Sequence, residues 1–309
     1  MLNRAKPYLL RVHRWLTLVF ALPLAILIVT GVILALEPMA ISLTTKPGTI
    51  TSERLVGLLQ QYDPQAKANG IVLRTYENRL TINGAGVSGR ADIILSTGAA
   101  VDDSGGLRLS DVFMASRRLH EHFLFDQRWV VTASTIAMVV LMLLGVLMGW
   151  PRLRNTISGW HQGVAWFGLP LAVLSPVTGL MIVAGLTFSP LPKTAPGPKV
   201  SIAQAVEILG KERDLSGLIW LRQRGPRLMA RLNEGGAFKV YTISAKGIEP
   251  MGANLPRALH EGNFAGVWSG LMVLITALGL GGLMVTGLIL YARRALRPRQ
   301  RNRAVPVAS

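Results

Sequence analysis

The chain has 309 residues, 50% of them hydrophobic and only 16% charged, where soluble domains carry about 25% charged residues. That balance excludes a disordered chain and argues against a soluble globular enzyme. Lys and Arg outnumber Asp and Glu by 33 to 16. Cysteine is absent, which excludes disulfide scaffolds, thiolate catalysis, iron–sulfur clusters and Cys-ligated zinc.

In chain order, uncharged stretches occur at 15–36, 129–150, about 163–191 and 264–292. Each is long enough for a bilayer, which needs about 20 apolar residues. Trp15, Trp129, Trp150, Trp160, Trp268 and Tyr291 lie near the ends, as an interfacial aromatic belt does. The first run exceeds a cleaved signal core, so it is read as a retained anchor. Spans are therefore expected at 15–36, 119–150, 161–191 and 259–292. The second and fourth of these include a histidine motif ahead of the apolar run.

Segments 1–14, 151–160 and 293–309 hold 12 Lys or Arg and no acid. Every Asp and Glu falls in the other two connections, about 37–128 and 192–261. By the positive-inside rule both termini and the loop 151–160 are cytoplasmic, and the segments 37–118 and 192–258 lie outside. The Arg-rich tail reads as a topology signal that touches anionic lipid, and no nucleic-acid partner is implied.

The chain is written twice. His13 precedes Thr30-Gly31 by 17 residues and His161 precedes Thr178-Gly179 by 17, with Leu-Pro-Leu-Ala between in both. Leu119-His120-Glu121 matches Leu259-His260-Glu261, and Gly145 matches Gly287. The unit is span, outer segment, span, used twice. Such parallel repeats are related by a pseudo-twofold axis along the membrane normal. Each outer segment reads as a small α+β module. The first has a helix at 52–62 and strands near 71–76, 79–82 and 91–95. The second has a helix at 202–209 and strands near 218–222, 227–232 and 237–243. Pro190, Pro192, Pro196 and Pro198 form a stiff linker into the second module.

Symmetry turns four of the five histidines into two pairs, His13 with His161 on the inner side and His120 with His260 on the outer. One isolated His at a span end is most simply a snorkelling or helix-bonding residue. Two pairs facing across a bundle axis instead suit axial ligation of a planar metal centre, for which neutral imidazole is a standard ligand. Small residues at Thr30, Gly31, Gly145, Gly149, Thr178, Gly179, Gly282 and Gly287 would let a porphyrin approach. Close helix packing is the simpler explanation of any one of those glycines. Arg117, Arg118 and Arg257 outside, and Arg11, Arg14, Arg152 and Arg154 inside, are available to propionates, or serve as topology charges. His122 is a substitute for His120 as ligand, or an exposed residue. Asp102-Asp103 reads as a solvated turn. No dinucleotide loop, Walker loop or metalloprotease motif occurs, and no catalytic residue is assigned.

Leu10 to Trp15 around His13, Pro23, Thr30-Gly31, the Leu-His motifs at 120 and 260 and the helix-plus-strands outer modules resemble the PepSY-associated transmembrane family. The resemblance covers nearly the whole chain. It implies a multi-pass bacterial inner-membrane protein with PepSY-like modules in the periplasm, of the iron-regulated, siderophore-iron reductase kind. It also implies haem-ligand histidines at His13, His120, His161 and His260. The expected fold is a membrane all-α four-helix bundle of two tandem hairpins, carrying two periplasmic α+β modules. The expected function is electron transfer through two b haems, from quinol or a flavoprotein to a periplasmic ferric chelate. The haems should sit inside the helix ends, since edges about 30 Å apart are too far for fast transfer. Two rivals remain: a membrane-anchored PepSY binding or assembly protein that regulates a protease, and a transporter. The transporter is weakened by the lack of Asp, Glu, Lys or Arg inside the spans.

Overall fold

The computed structural model describes residues 2–85, 89–101, 106–189 and 200–296. The four linker prolines, Asp102-Asp103, Ser88 and the tail from 297 onward lie outside the described residues. In chain order come α1 (Leu2–Val19), α2 (Ala21–Thr44), α3 (Ser52–Tyr62), β1 (Gly70–Arg74), β2 (Arg79–Asn83) and β3 (Arg90–Ile94). Next are α4 (Leu109–His122), α5 (Arg128–Leu147), α6 (Ile157–Phe167), α7 (Leu169–Val183) and α8 (Ile202–Glu212). The chain continues with β4 (Leu218–Arg224), β5 (Arg227–Glu234), β6 (Ala237–Ser244), β7 (Gly247–Pro250), α9 (Leu255–Glu261) and α10 (Gly266–Ala295).

Helices α2, α5 and α10 are each long and apolar enough to cross a membrane. The pair α6–α7 makes a fourth if it is one span, bent by 64°. Val29, Ile136, Leu143, Ile275 and Val285 point outward and stay exposed, as lipid-facing side chains do. The first and third runs do not form straight helices. Pro23 sits just inside α2 and Pro170 just inside α7. A proline ring collides with the carbonyl four residues back, here Val19 and Trp166, so each helix breaks just before its proline. The second and fourth runs also differ from the expected single segments. Helix α4 ends at His122, and the left-handed residues Phe123, Phe125 and Asp126 turn the chain before α5. Helix α9 ends at Gly262, left-handed at φ 65°, before α10. Glycine takes that conformation at little cost, and the helix stops there. The histidine motifs thus lie on separate short helices, α4 packed on α2 and α9 packed on α7.

The expected strands form close to their expected limits, with β7 in addition. The two outer modules are not separate, however. All seven strands make one antiparallel sheet in the order β3-β2-β1-β4-β5-β6-β7. β1 and β4 join the halves with Gly70 opposite Arg222, Ile71 opposite Leu221 and Val72 opposite Trp220. Residues 71 and 221 are themselves counterparts in the repeat. Exchanging the halves maps the 70–222 pair onto 220–72, so the contact is self-complementary in the manner of a twofold dimer interface. Helices α3 and α8 pack side by side on one face. Their Leu55, Leu58, Leu59, Ile202, Val206 and Leu209 share one core with Ile71, Leu80, Ile82, Ile93, Leu221, Ala230 and Leu232. Matched caps start both helices: Thr51 accepts from the Arg54 backbone, and Ser201 forms a reciprocal box with Gln204. Leu221 is fully buried at the join. Leu221→Ala is expected to cost about 3 kcal/mol, read as a lower denaturation midpoint of the detergent-solubilised protein.

The sheet is bonded directly to the helices. Gly266 N–H donates to Gly236 O at 2.7 Å, and Phe238 N–H donates to Asn263 O at 2.9 Å. The Thr44 and Thr75 hydroxyls meet at 2.8 Å. Gly48, just after α2, donates its N–H to Asp214 in the other half at 2.9 Å.

Candidate functional site: a histidine pair in threonine–glycine cradles

His120 on α4 and His260 on α9 face each other, with ring centres 6.1 Å apart and planes inclined at 52°. The rings are held in the same way. His120 Nδ1 lies 2.9 Å from Thr30 Oγ1 on α2. His260 Nδ1 lies 3.2 Å from Thr178 Oγ1 and 3.0 Å from Ser175 O on α7. His161 on α6 repeats the arrangement, with Nδ1 2.8 Å from Thr286 Oγ1 on α10. In each case the next residue is glycine. A Cβ at Gly31, Gly179 or Gly287 would lie 3.5, 3.2 or 3.5 Å from Cε1 of His120, His260 or His161. The imidazole therefore rests on a bare stretch of helix.

The bonding pattern assigns the tautomer. Each threonine hydroxyl has one proton, and each points it at its own helix: Thr30 at Ile26 O (2.6 Å), Thr178 at Leu174 O (2.6 Å) and Thr286 at Gly282 O (2.7 Å). The threonine oxygen then accepts from Nδ1–H. At His260 the Ser175 carbonyl can only accept, which requires the same proton on Nδ1. Nε2 of these three rings is left unprotonated, with a free lone pair and no hydrogen bond among the described residues. That is the state in which histidine ligates a metal.

His13 differs. It lies on α1, and its ring makes no hydrogen bond among the described residues. Leu144 precedes Gly145, the match of Gly287, so no threonine occupies the matching place. A Cβ at Gly145 would meet nothing within 4 Å. Among the described residues the expected His13–His161 pair does not show the ring-to-ring approach of His120 and His260.

His122 sits on the open end of α4. Its Nδ1 is 2.5 Å from Asp126 Oδ1, and Arg128 Nε is 3.0 Å away. The structure brings His120, not His122, to His260. Thr30 lies 14 residues before the end of α2, about 21 Å at 1.5 Å per residue. The His120–His260 pair thus lies level with the middle of α2, well back from its C-terminal end.

Two of the arginines named as propionate partners, Arg117 and Arg257, pair with carboxylates. Arg117 pairs with Glu37 and lies 3.9 Å from Glu121, while Arg257 bonds Glu261 at 2.8 Å. Arg117–Glu121 and Arg257–Glu261 are i,i+4 pairs flanking His120 and His260. Glu261 also accepts from Arg231 at 2.9 Å and from Asn263 at 2.6 Å. These donors compensate a carboxylate beside the site, and together they tie α9 to the sheet. Arg222 on β4 stacks on Trp220 at 4.3 Å. Its guanidinium is lowered from the ordinary value by burial and by its neighbours Arg224, Arg231 and Arg257. Of the other arginines named, Arg11 lies over Tyr8, and Arg152 and Arg154 are exposed.

Sequence reasoning listed Thr30 and Thr178 only as small residues and omitted Thr286. The signal was present: Val-Thr-Gly occurs at 29–31, 177–179 and 285–287, once for each anchored ring. Among the described residues no group of three or more His, Asp or Glu is placed to hold a metal ion. The chemistry on offer is a pair of neutral imidazoles, suited to a metal that brings its own equatorial ligands.

No curated protein matches the chain. The family described as PepSY-associated TM region matches residues 10–294, which takes in both histidine motifs, every span and the whole sheet. This multi-pass membrane protein belongs to the PepSY-associated TM region family.

Proposed function

We propose that the protein carries electrons across the bacterial inner membrane through two b haems, each held by two histidines. His120 and His260 would hold the outer one, and His13 and His161 the inner. The observation that carries this reading is the 6.1 Å separation of the His120 and His260 ring centres. Two imidazoles on opposite sides of one ion, with bonds of about 2 Å, have ring centres roughly 6 Å apart. The donor set fits the group. When bound, haem supplies reversible one-electron iron chemistry.

The chain's own residues do the rest. Thr30 and Thr178 present the lone pairs of Nε2. The apolar faces of α2, α5, α7 and α10 exclude water, and Glu261 with its arginines fixes α9 against the sheet. Depth also supports the reading. Met39 packs on Gly270 and Ile28 on Gly281, so α2 and α10 run antiparallel and Thr30 lies level with position 279. Thr286 is seven residues further along, about 10 Å. The two histidine sites are therefore separated by far less than the membrane thickness.

In this reading α2, α5, the bent α6–α7 pair and α10 are four spans in two tandem hairpins. Both termini are cytoplasmic, and the two PepSY-like halves of the sheet stand in the periplasm. Electrons enter from quinol or a flavoprotein and leave to a ferric chelate. The test is a reduced-minus-oxidised spectrum of protein purified from haem-replete cells. A b-type band is expected. Its absence removes the redox reading and leaves a membrane-anchored binding or assembly protein.

A further inference from the structure

We propose that Thr30, Thr178 and Thr286 are positioning residues, and that His13, which has none, is the exchangeable histidine of the four. The inference rests on the haem reading above, but its geometry stands apart from any cofactor.

A ligand imidazole must hold its proton on Nδ1 and keep Nε2 aimed at the metal. A histidine without partners divides its proton between two nitrogens and rotates about two bonds. An acceptor at Nδ1 removes both freedoms before the metal arrives, and loss of such a partner typically weakens metal binding about 10–100-fold. Three rings have that acceptor, at 2.9, 3.2 and 2.8 Å. Each acceptor is itself locked, because its only proton is already given to a backbone carbonyl. Each anchored ring also lies against the glycine that follows its threonine. Among the described residues His13 has neither the hydroxyl nor the glycine contact.

The duplication is therefore broken at one place. The outer pair has two anchored rings. The inner pair has one anchored ring, His161, and one free ring, His13. An added ligand should enter at the inner centre by displacing His13, while the outer centre stays closed.

Two measurements on the full-length protein in detergent test this. The first is carbon monoxide titration of the reduced, haem-loaded protein. In the unmodified chain about half of the b-type absorbance should change, since only one of two bis-histidine centres opens. Thr30→Val combined with Thr178→Val should open the other half and raise the midpoint potential of the outer centre, because the acceptor that enriches the imidazole is lost. Thr30→Ser combined with Thr178→Ser should restore the closed state. Equal reaction of both haems in the unmodified chain, reaction of neither, or valine variants that behave like the parent would each overturn the proposal.

The second measurement is the ¹⁵N spectrum of histidine-labelled, haem-free protein at about pH 8, where free imidazole is neutral. His120, His161 and His260 should show one fixed tautomer protonated on Nδ1, and His13 a mixture. A mixture at all four overturns the proposal whether or not haem binds. A missing b-type band together with three fixed tautomers would instead sink the haem reading alone.

Discussion

Replacing His260 by alanine is expected to strip the purified protein of about half of its haem, and His120→Ala should cause the same loss. In the proposed reading each ring would supply one of only two axial bonds at the centre between His120 and His260. The partner histidine and the bundle offer no third nitrogen within reach, since His122 is engaged with Asp126 and Arg128 at the open end of α4. The same variants should leave the fold intact. Thr30 and Thr178 keep their bonds to Ile26 O and Leu174 O when the imidazole is gone, so no buried hydroxyl is orphaned. The check is the haem-to-protein ratio by alkaline pyridine spectrum, set beside the thermal unfolding midpoint. His122→Ala should change neither quantity. Full haem content in both His120→Ala and His260→Ala would show that these two rings are not the ligands.

Gly236→Ala is expected to cost about 3–5 kcal/mol of stability. Gly236 lies in the β5–β6 turn at φ 85°, where a side chain is strained whatever the space around it. The space is also lacking. A Cβ there would stand 2.6 Å from Gly266 N and 2.7 Å from Gly266 Cα. These are backbone atoms at the start of α10, and they cannot swing aside as a side chain can. The contact they make, Gly266 N–H to Gly236 O, is one of the bonds that seat the sheet on the last membrane helix. The substitution should lower the unfolding midpoint and raise amide exchange in the β5–β6 turn and the first turn of α10. Gly225→Ala is a matched control. It too is left-handed, in the β4–β5 turn, but a Cβ there meets nothing within 4 Å. It should cost only the backbone strain, and equal losses at the two sites would refute the role given to the 236–266 contact.

Legibility followed the range of the forces involved. Spans are local: the apolar runs that become α2, α5, α7 and α10 announce themselves in composition, because hydropathy is a property of consecutive residues. The helices α3 and α8 and six strands were legible for the same reason, through apolar spacing closed by turn residues. The breaks before Pro23 and Pro170 were within reach of local chemistry, yet the runs were read as continuous because membrane helices tolerate proline. The duplication was legible as repeated letters, and it predicted that His120 meets His260.

What no local pattern contains is the pairing of Ile71 with Leu221, 150 residues apart. Edge strands accept partners through backbone groups that every residue carries, so the letters do not name the partner. Only the fold that places β1 beside β4 turns two modules into one sheet. The same holds for the site. The sequence alone determined a duplicated multi-pass membrane protein with four matched histidines. The tertiary structure decided that α4 and α9 fold back along α2 and α7, that the rings of His120 and His260 face each other 6.1 Å apart, and that among the described residues three rings have a threonine while His13 has none. Those outcomes depend on hydrogen bonds between helices far apart in the chain, and such bonds exist only once packing has brought the helices together.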